Sequence, residues 1–84
     1  MKHITIKYFA SIREAVGQGN EQVHTSATTL GALRAELVAR GGAYADSLGA
    51  GRAVRMAMNQ TMSDEPTVLT DGAEIAFFPP VTGG

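Results

Sequence analysis

The stretch Glu74-Ile75-Ala76-Phe77-Phe78-Pro79-Pro80-Val81-Thr82-Gly83-Gly84 decides how the rest of the chain must be arranged. Its first five residues read as a strand, with Ile75 and Phe77 on one face and Ala76 and Phe78 on the other. Pro79-Pro80 ends that strand, because proline has no N–H for the ladder and its fixed φ holds the exit extended. After Val81 and Thr82 come two residues without a Cβ, Gly83 and Gly84, slim enough for a channel tip in which a branched side chain would collide. The six residues 79–84 span about 20 Å when extended, at roughly 3.3 Å each. A Gly-Gly end means little alone, since termini are commonly small and polar. Here it is joined to an apolar strand through a short, stiff link, which suits it to carrying the α-carboxylate of Gly84 into another protein's active site.

The body behind this tail is small. A chain of 84 residues forms one domain with a compact core. It contains no cysteine, which excludes disulfides, thiolate metal sites, iron–sulfur clusters and a catalytic thiol. A formal net charge of −1 with scattered basic residues argues against a nucleic-acid partner. The start, Met1-Lys2-His3-Ile4-Thr5, has no apolar run of the signal-peptide kind, and no stretch approaches membrane-spanning length. The cytoplasm is the expected compartment, with no membrane association.

Working back from the tail, Asp71-Gly72 is a turn preceded by Val68-Leu69. Asp64-Glu65-Pro66 is another turn, Thr61 to Ser63 a short strand, and Asn59-Gln60 the turn before it. Val54, Met56 and Met58 alternate with Arg55, Ala57 and Asn59, giving a strand with the methionines inward. The segment from Ala43 to Gly51 is open to several readings, among them a helical turn around Tyr44 and Leu48. Leu30, Leu33, Leu37 and Val38 recur at helical spacing behind a cap at Thr28 or Thr29, and Gly41-Gly42 stops this main helix. A strand over 21–25 places Val23 inward. Ser11-x-x-Glu14 has the form of a capping box opening a short helix that Gly17 ends. From Lys2 to Phe9, Ile4, Ile6 and Tyr8 share one face; Phe9 is a large apolar residue on the other, polar face. Strands on both sides of one principal helix predict an α+β fold with one sheet face covered.

Phe9 and Phe78 both fall on the uncovered face, near the strand ends that lead to the tail. Two such rings beside a functional tail predict a partner-binding patch, extended by Met62 and rimmed by Arg13. His3 and His24 lack further ligands at metal spacing, so no metal site is expected. Gly41-Gly42 and Gly49-Ala50-Gly51 lack the Lys-Ser/Thr of a phosphate loop. No Ser/His/Asp set can be assembled.

The segments Tyr8-Phe9-Ala10-Ser11-Ile12-Arg13-Glu14-Ala15-Val16-Gly17, Val54-Arg55-Met56-Ala57-Met58-Asn59-Gln60 and Leu69-Thr70-Asp71-Gly72-Ala73-Glu74-Ile75-Ala76-Phe77-Phe78-Pro79-Pro80-Val81-Thr82-Gly83-Gly84 resemble the small subunits of molybdopterin synthases. The resemblance implies a β-grasp (ubiquitin-like) mixed sheet packed on one main helix, with the first and last strands parallel and adjacent. It implies a folded domain over 1–78 and an extended tail over 79–84. It further implies a sulfur carrier with no permanently bound cofactor. A ubiquitin-activating-enzyme-like adenylyltransferase would adenylate Gly84 with ATP, and a sulfur donor protein would turn the adenylate into a thiocarboxylate. The large subunit, in a heterotetramer of two small and two large chains, would then receive the tail and build the dithiolene of molybdopterin from cyclic pyranopterin monophosphate. Gly84 carries the reacting carbonyl in this scheme and Gly83 lets the backbone follow the channel. Phe9, Arg13, Met62, Phe78, Pro79, Pro80, Val81 and Thr82 meet the partner, whose side chains supply the sulfurtransferase catalysis. A carrier for thiamine thiazole or another metabolite, a ubiquitin-like protein modifier and a plain interaction module are the competing readings.

Overall fold

A computed structural model describes residues 1–49 and 51–80. Among the described residues five strands and three helices follow in the order β1 (Lys2–Tyr8), α1 (Ala10–Val16), β2 (Asn20–Thr25), α2 (Leu30–Val38), α3 (Gly42–Leu48), β3 (Arg55–Met58), β4 (Thr61–Ser63) and β5 (Glu74–Phe78). The strands form one sheet in the order β2-β1-β5-β3-β4. β1 and β5 are parallel, and every other pairing is antiparallel. This is the β-grasp arrangement.

Alternation decides which face is covered. Ile4 and Ile6 are fully buried, as are Ile75 and Phe77, and Tyr8 nearly so; all point from the central pair toward the helices. Leu30, Leu33 and Leu37 of α2 and Leu48 of α3 close over them. Thr29 caps α2, its side chain accepting the Ala32 N–H at 3.1 Å. The ambiguous segment after Gly41 is a third helix, so the main helix does not cover the sheet alone. Met56 is buried as expected, Met58 is only partly so, and Val23 packs half-buried at the core margin.

Two turns align the strands. Asn59 and Gln60 both have positive φ, 51° and 69°, the conformation that suits a two-residue hairpin between twisted strands. Asn59 also accepts the Glu74 N–H, tying this hairpin to the start of β5. At Asp71-Gly72, φ of 81° lets the Gly72 N–H reach the His3 carbonyl at 2.8 Å. The Asp71 carboxylate accepts the His3 N–H at 2.7 Å, so β5 starts beside β1 in register.

The capping box expected at Ser11 is absent. Phe9 is the N-cap, with extended backbone and no side-chain cap, and Ser11 already lies inside the helix. Ala10 makes the sharp turn between strand and helix at φ 52°, and the Phe9 carbonyl accepts the Ile12 and Arg13 N–H groups instead. Gly17 ends the helix in the left-handed conformation, as read.

A polar hub joins β1, β2 and α3 with the loops that follow α1 and α2, at the β2 edge. Glu21 Oε2 accepts hydrogen bonds from the Tyr8 and Tyr44 hydroxyls, both at 3.1 Å, from Gln18 at 2.6 Å and from Arg40 at 3.1 Å. Its other oxygen lies 2.8 Å from Arg40. Burial opposes ionisation of Glu21. The Arg40 hydrogen bond and charge, with the two tyrosine hydroxyls, outweigh it and hold the carboxyl below its ordinary value of 4.5. A depressed folded value means that the hub stabilises the fold at neutral pH and that this stabilisation is lost as pH falls through that value. Glu21→Gln should therefore lower the urea midpoint at pH 7, and the gap to the parent should narrow progressively below about pH 4.5. A gap independent of pH would contradict the assignment.

Candidate functional site

Because β1 and β5 run parallel at the centre of the sheet, both finish at the same end of the molecule, where the chain passes into Pro79. The two strands are locked there: the Phe9 N–H donates to the Phe77 carbonyl at 3.1 Å. Phe77 and Tyr8 stack beneath the sheet with centroids 6.2 Å apart. On the open face Phe9 and Phe78 meet edge to face at 6.5 Å, an arrangement that suits the aromatic quadrupole. Phe9 is 46% exposed and Phe78 is half-buried. This ring pair stands directly beside the exit of the chain.

Met62, 59% exposed, lies on the same face but in another row. It is opposite Ala57, which is opposite Ala76, which is opposite Lys7. Two alanines, Ala57 buried and Ala76 half-buried, thus make a floor between Met62 and Lys7 in this row. Arg13 begins one turn beyond Phe9, and its guanidinium leans on Gly19: a Cβ at Gly19 would sit 3.0 Å from Nε. It flanks the patch on the β2 side and does not cover the rings. Pro79 and Pro80 are half-buried. Pro79 borders a groove of about 440 Å³ between α1 and α3, lined also by Ser11, Asp46, Ser47 and Arg52. Val81, Thr82, Gly83 and Gly84 lie outside the described residues.

The alanine floor and Arg55, whose Cα pairs with Phe78, did not emerge from the sequence reading. Alternation contains the signal, since Arg55 and Ala57 share a strand face, but their alignment with Phe78 and Ala76 needs the β3–β5 register. His3 and His24 stack at 4.9 Å at the end of the sheet away from the tail, with His3 Nε2 2.8 Å from Gln22. No group of three His, Cys, Asp or Glu side chains among the described residues is placed to hold a metal ion. No helix among them is long and apolar enough to cross a membrane.

A central parallel strand pair that ends in a proline-led tail, with an aromatic pair at the tail's root, defines a β-grasp protein of the ubiquitin-like class. The fold is shared with the crystal structure of small archaeal modifier protein 1 of H. volcanii, at a TM-score of 0.80 and 24% identity, over 96% of this chain and 100% of that one. The ThiS family matches residues 6–84, and the chain belongs to that family. Within it, the chain is 42% identical over 81 residues to the molybdopterin synthase sulfur carrier subunit of Escherichia coli (strain K12), covering 96% of this chain and 99% of the relative. It is also similar to a chain in the complex of subunits 1 and 2 of molybdopterin-converting factor from Helicobacter pylori 26695, with 29% identity and a TM-score of 0.69, over 98% of this chain and 99% of that one.

Proposed function

We propose that this chain is the sulfur-carrying small subunit of a molybdopterin synthase, working in the cytoplasm as half of a sulfurtransferase. The observation that carries the reading is the position of the tail's root: the last central strand delivers the chain to Pro79 beside a paired Phe9 and Phe78. Likeness to a sulfur carrier subunit along nearly its whole length supports it.

The chemistry follows from an unreactive group made reactive by others. An α-carboxylate such as that of Gly84 is anionic at neutral pH and resists nucleophiles. An adenylyltransferase brings ATP; a carboxylate oxygen attacks the α-phosphorus, pyrophosphate leaves, and the acyl carbon gains AMP as a leaving group. Sulfide-level sulfur handed over by a donor protein attacks the acyl carbon, displaces AMP and leaves a thiocarboxylate, whose sulfur is anionic and nucleophilic at pH 7 for the reason that a low-pKa thiolate is. The large subunit then takes the tail: the thiocarboxylate sulfur displaces an oxygen substituent of the pterin substrate, water cleaves the bond between that sulfur and the Gly84 carbonyl carbon, and Gly84 leaves as a carboxylate for another round. Gly83 lets the backbone follow the channel, while Pro79, Pro80, Val81 and Thr82 line its entrance. Charge stabilisation during transfer comes from the partner around the inserted tail, so the carrier needs no catalytic side chain. The synthase is a heterotetramer of two small and two large chains in this reading.

Phe9, Phe78, Met62 and Arg13 form the docking patch for the large subunit. Phe78→Ala should weaken that binding by about tenfold or more, as expected for a central aromatic anchor. It should change the melting temperature little, because Phe78 faces outward while Phe77 holds the core. Calorimetric titration and a thermal melt check both; a large melting loss with unchanged binding would contradict the assignment. Copurification with a larger subunit separates this reading from a carrier for thiamine thiazole. The likeness to an archaeal modifier is one of fold and does not bring conjugation with it.

A further inference from the structure

The segment that leads from α3 to β3, Gly49-Ala50-Gly51-Arg52-Ala53, has the composition of a loop that packing alone would leave loose. Its described residues are nonetheless fastened by two arginines. Arg34, buried in α2, donates to the Leu48, Gly49 and Arg52 carbonyls at 2.6, 2.8 and 3.1 Å. The Arg52 N–H closes a turn onto the Gly49 carbonyl at 2.8 Å, and Arg52 Nε reaches back to the Asp46 carbonyl at 2.6 Å. Gly49 fits there only without a side chain, since a Cβ would stand 2.7 Å from the Ala45 carbonyl oxygen. What this fastened segment faces is the root of the tail. Asp46, Ser47 and Arg52 line one side of a groove, Ile12 and Ala15 of α1 line the other, and Pro79 lines the same groove. Pro79 thus continues the inward row of Ile75 and Phe77, while Phe78 packs on Phe9 across the sheet. Arg52 itself is exposed, and one exposed hydrogen bond adds little to stability.

We propose that Arg52 is a positioning residue for the carrier's chemistry: it holds the α3 side of this groove against Pro79 and so aims the tail before any partner binds. The proposal rests on the carrier reading above. Ordering a chain segment costs entropy at every residue, so a tail that must enter a narrow channel binds more weakly the freer its root is. A root seated in a groove, and continued through the fixed φ of Pro79 and Pro80, has lost that freedom on folding. Arg34 secures the end of α3, and Arg52 turns the last of that segment toward the seat. The advantage belongs to the free carrier, so every protein that takes up Gly84 gains from it alike. A side chain that acted by touching a partner would instead show a loss set by each partner's own surface.

The test is a double-mutant cycle over Arg52→Ala and Pro79→Gly, read with both partners and in the free chain. Arg52→Ala should raise the KM for the carrier in ATP–pyrophosphate exchange by about fivefold, with kcat unchanged, and weaken large-subunit affinity by the same factor. Pro79→Gly, which releases the fixed φ, should do likewise by about tenfold. The double variant should lose no more than Pro79→Gly alone, because Arg52 acts only through the seated root. In the free parent, carbon relaxation at the Pro79 Cα should give a core-like order parameter near about 0.85, falling toward about 0.6 in Arg52→Ala. The melting temperature should drop by less than about 4 °C. Arg52→Met, which keeps the stem and removes the donor, takes the place of the alanine variant if that one does not fold. Additive losses, a loss with one partner only, or a Pro79 order parameter that is already low in the parent or unmoved by the variant would each overturn the proposal. A parent chain that is neither adenylated nor bound by the large subunit sinks the carrier reading; a parent that is both, beside an indifferent Arg52→Ala, sinks the positioning role alone.

Discussion

A Gly84→Val variant is expected to fold as the parent does and to give no detectable adenylate with the activating enzyme and ATP. The reasoning separates body from tail. The stability of the body comes from the leucines of α2 and α3 packed on Ile4, Ile6, Ile75 and Phe77, and position 84 lies six residues beyond the last strand. In the proposed reaction the reacting carboxyl belongs to residue 84, so a branched Cβ there would stand beside the group that must meet the α-phosphorus. In a channel shaped for glycine this crowding displaces the reacting atoms, and a misplacement of about 1 Å can cost a hundredfold in rate. Pyrophosphate release measures the loss, and a thermal melt shows that the body is intact. Normal adenylate formation by this variant would remove Gly84 from its assigned role.

Arg34→Ala should be the most destabilising change at a charged position. Arg34 is buried in α2 and donates to three carbonyls: Leu48 at 2.6 Å, Gly49 at 2.8 Å and Arg52 at 3.1 Å. It also meets Glu65 at 3.2 Å. One guanidinium thereby closes the end of α3 and fastens the approach to β3. Truncation leaves these acceptors unpaired around a void, at a cost of about 2–4 kcal/mol. That is a large share of the roughly 4–12 kcal/mol expected for a chain of this size. Arg34→Lys should recover only part of the loss, since an ammonium is compact and lacks the planar fork of donors that reaches several carbonyls together. Urea denaturation of both variants checks the order; a midpoint for Arg34→Ala equal to the parent's would show that these contacts contribute nothing.

How much of this was visible beforehand differs from element to element. Strict alternation at Ile4, Ile6 and Tyr8, and again at Ile75 and Phe77, located the central strands and their core faces, because a sheet with one covered face forces that period. The leucine spacing located α2, yet the same spacing hid Arg34. It stands one turn beyond Leu30 on the buried side, and its carbonyl partners are 14 to 18 residues away in sequence. The short helix α3 was obscured by the glycines at both ends. The start of α1 was misread because Ser11-x-x-Glu14 has the composition of a capping box, while Ala10 turns the chain one residue earlier and leaves Ser11 inside the helix. Alternation placed both Phe9 and Phe78 on the open face. Their contact depends on the parallel β1–β5 pairing, which family resemblance suggested and local pattern alone could not.

The central claim is that the reactive group of this protein is the end of its own backbone. Its most direct test is the intact mass of the chain after incubation with ATP, the activating enzyme and a sulfur source. The account predicts a gain equal to the difference between one sulfur and one oxygen atom, assigned by fragmentation to Gly84 and lost again on incubation with the large subunit and its pterin substrate. An unchanged mass under conditions in which a known carrier of the same family is converted would contradict it.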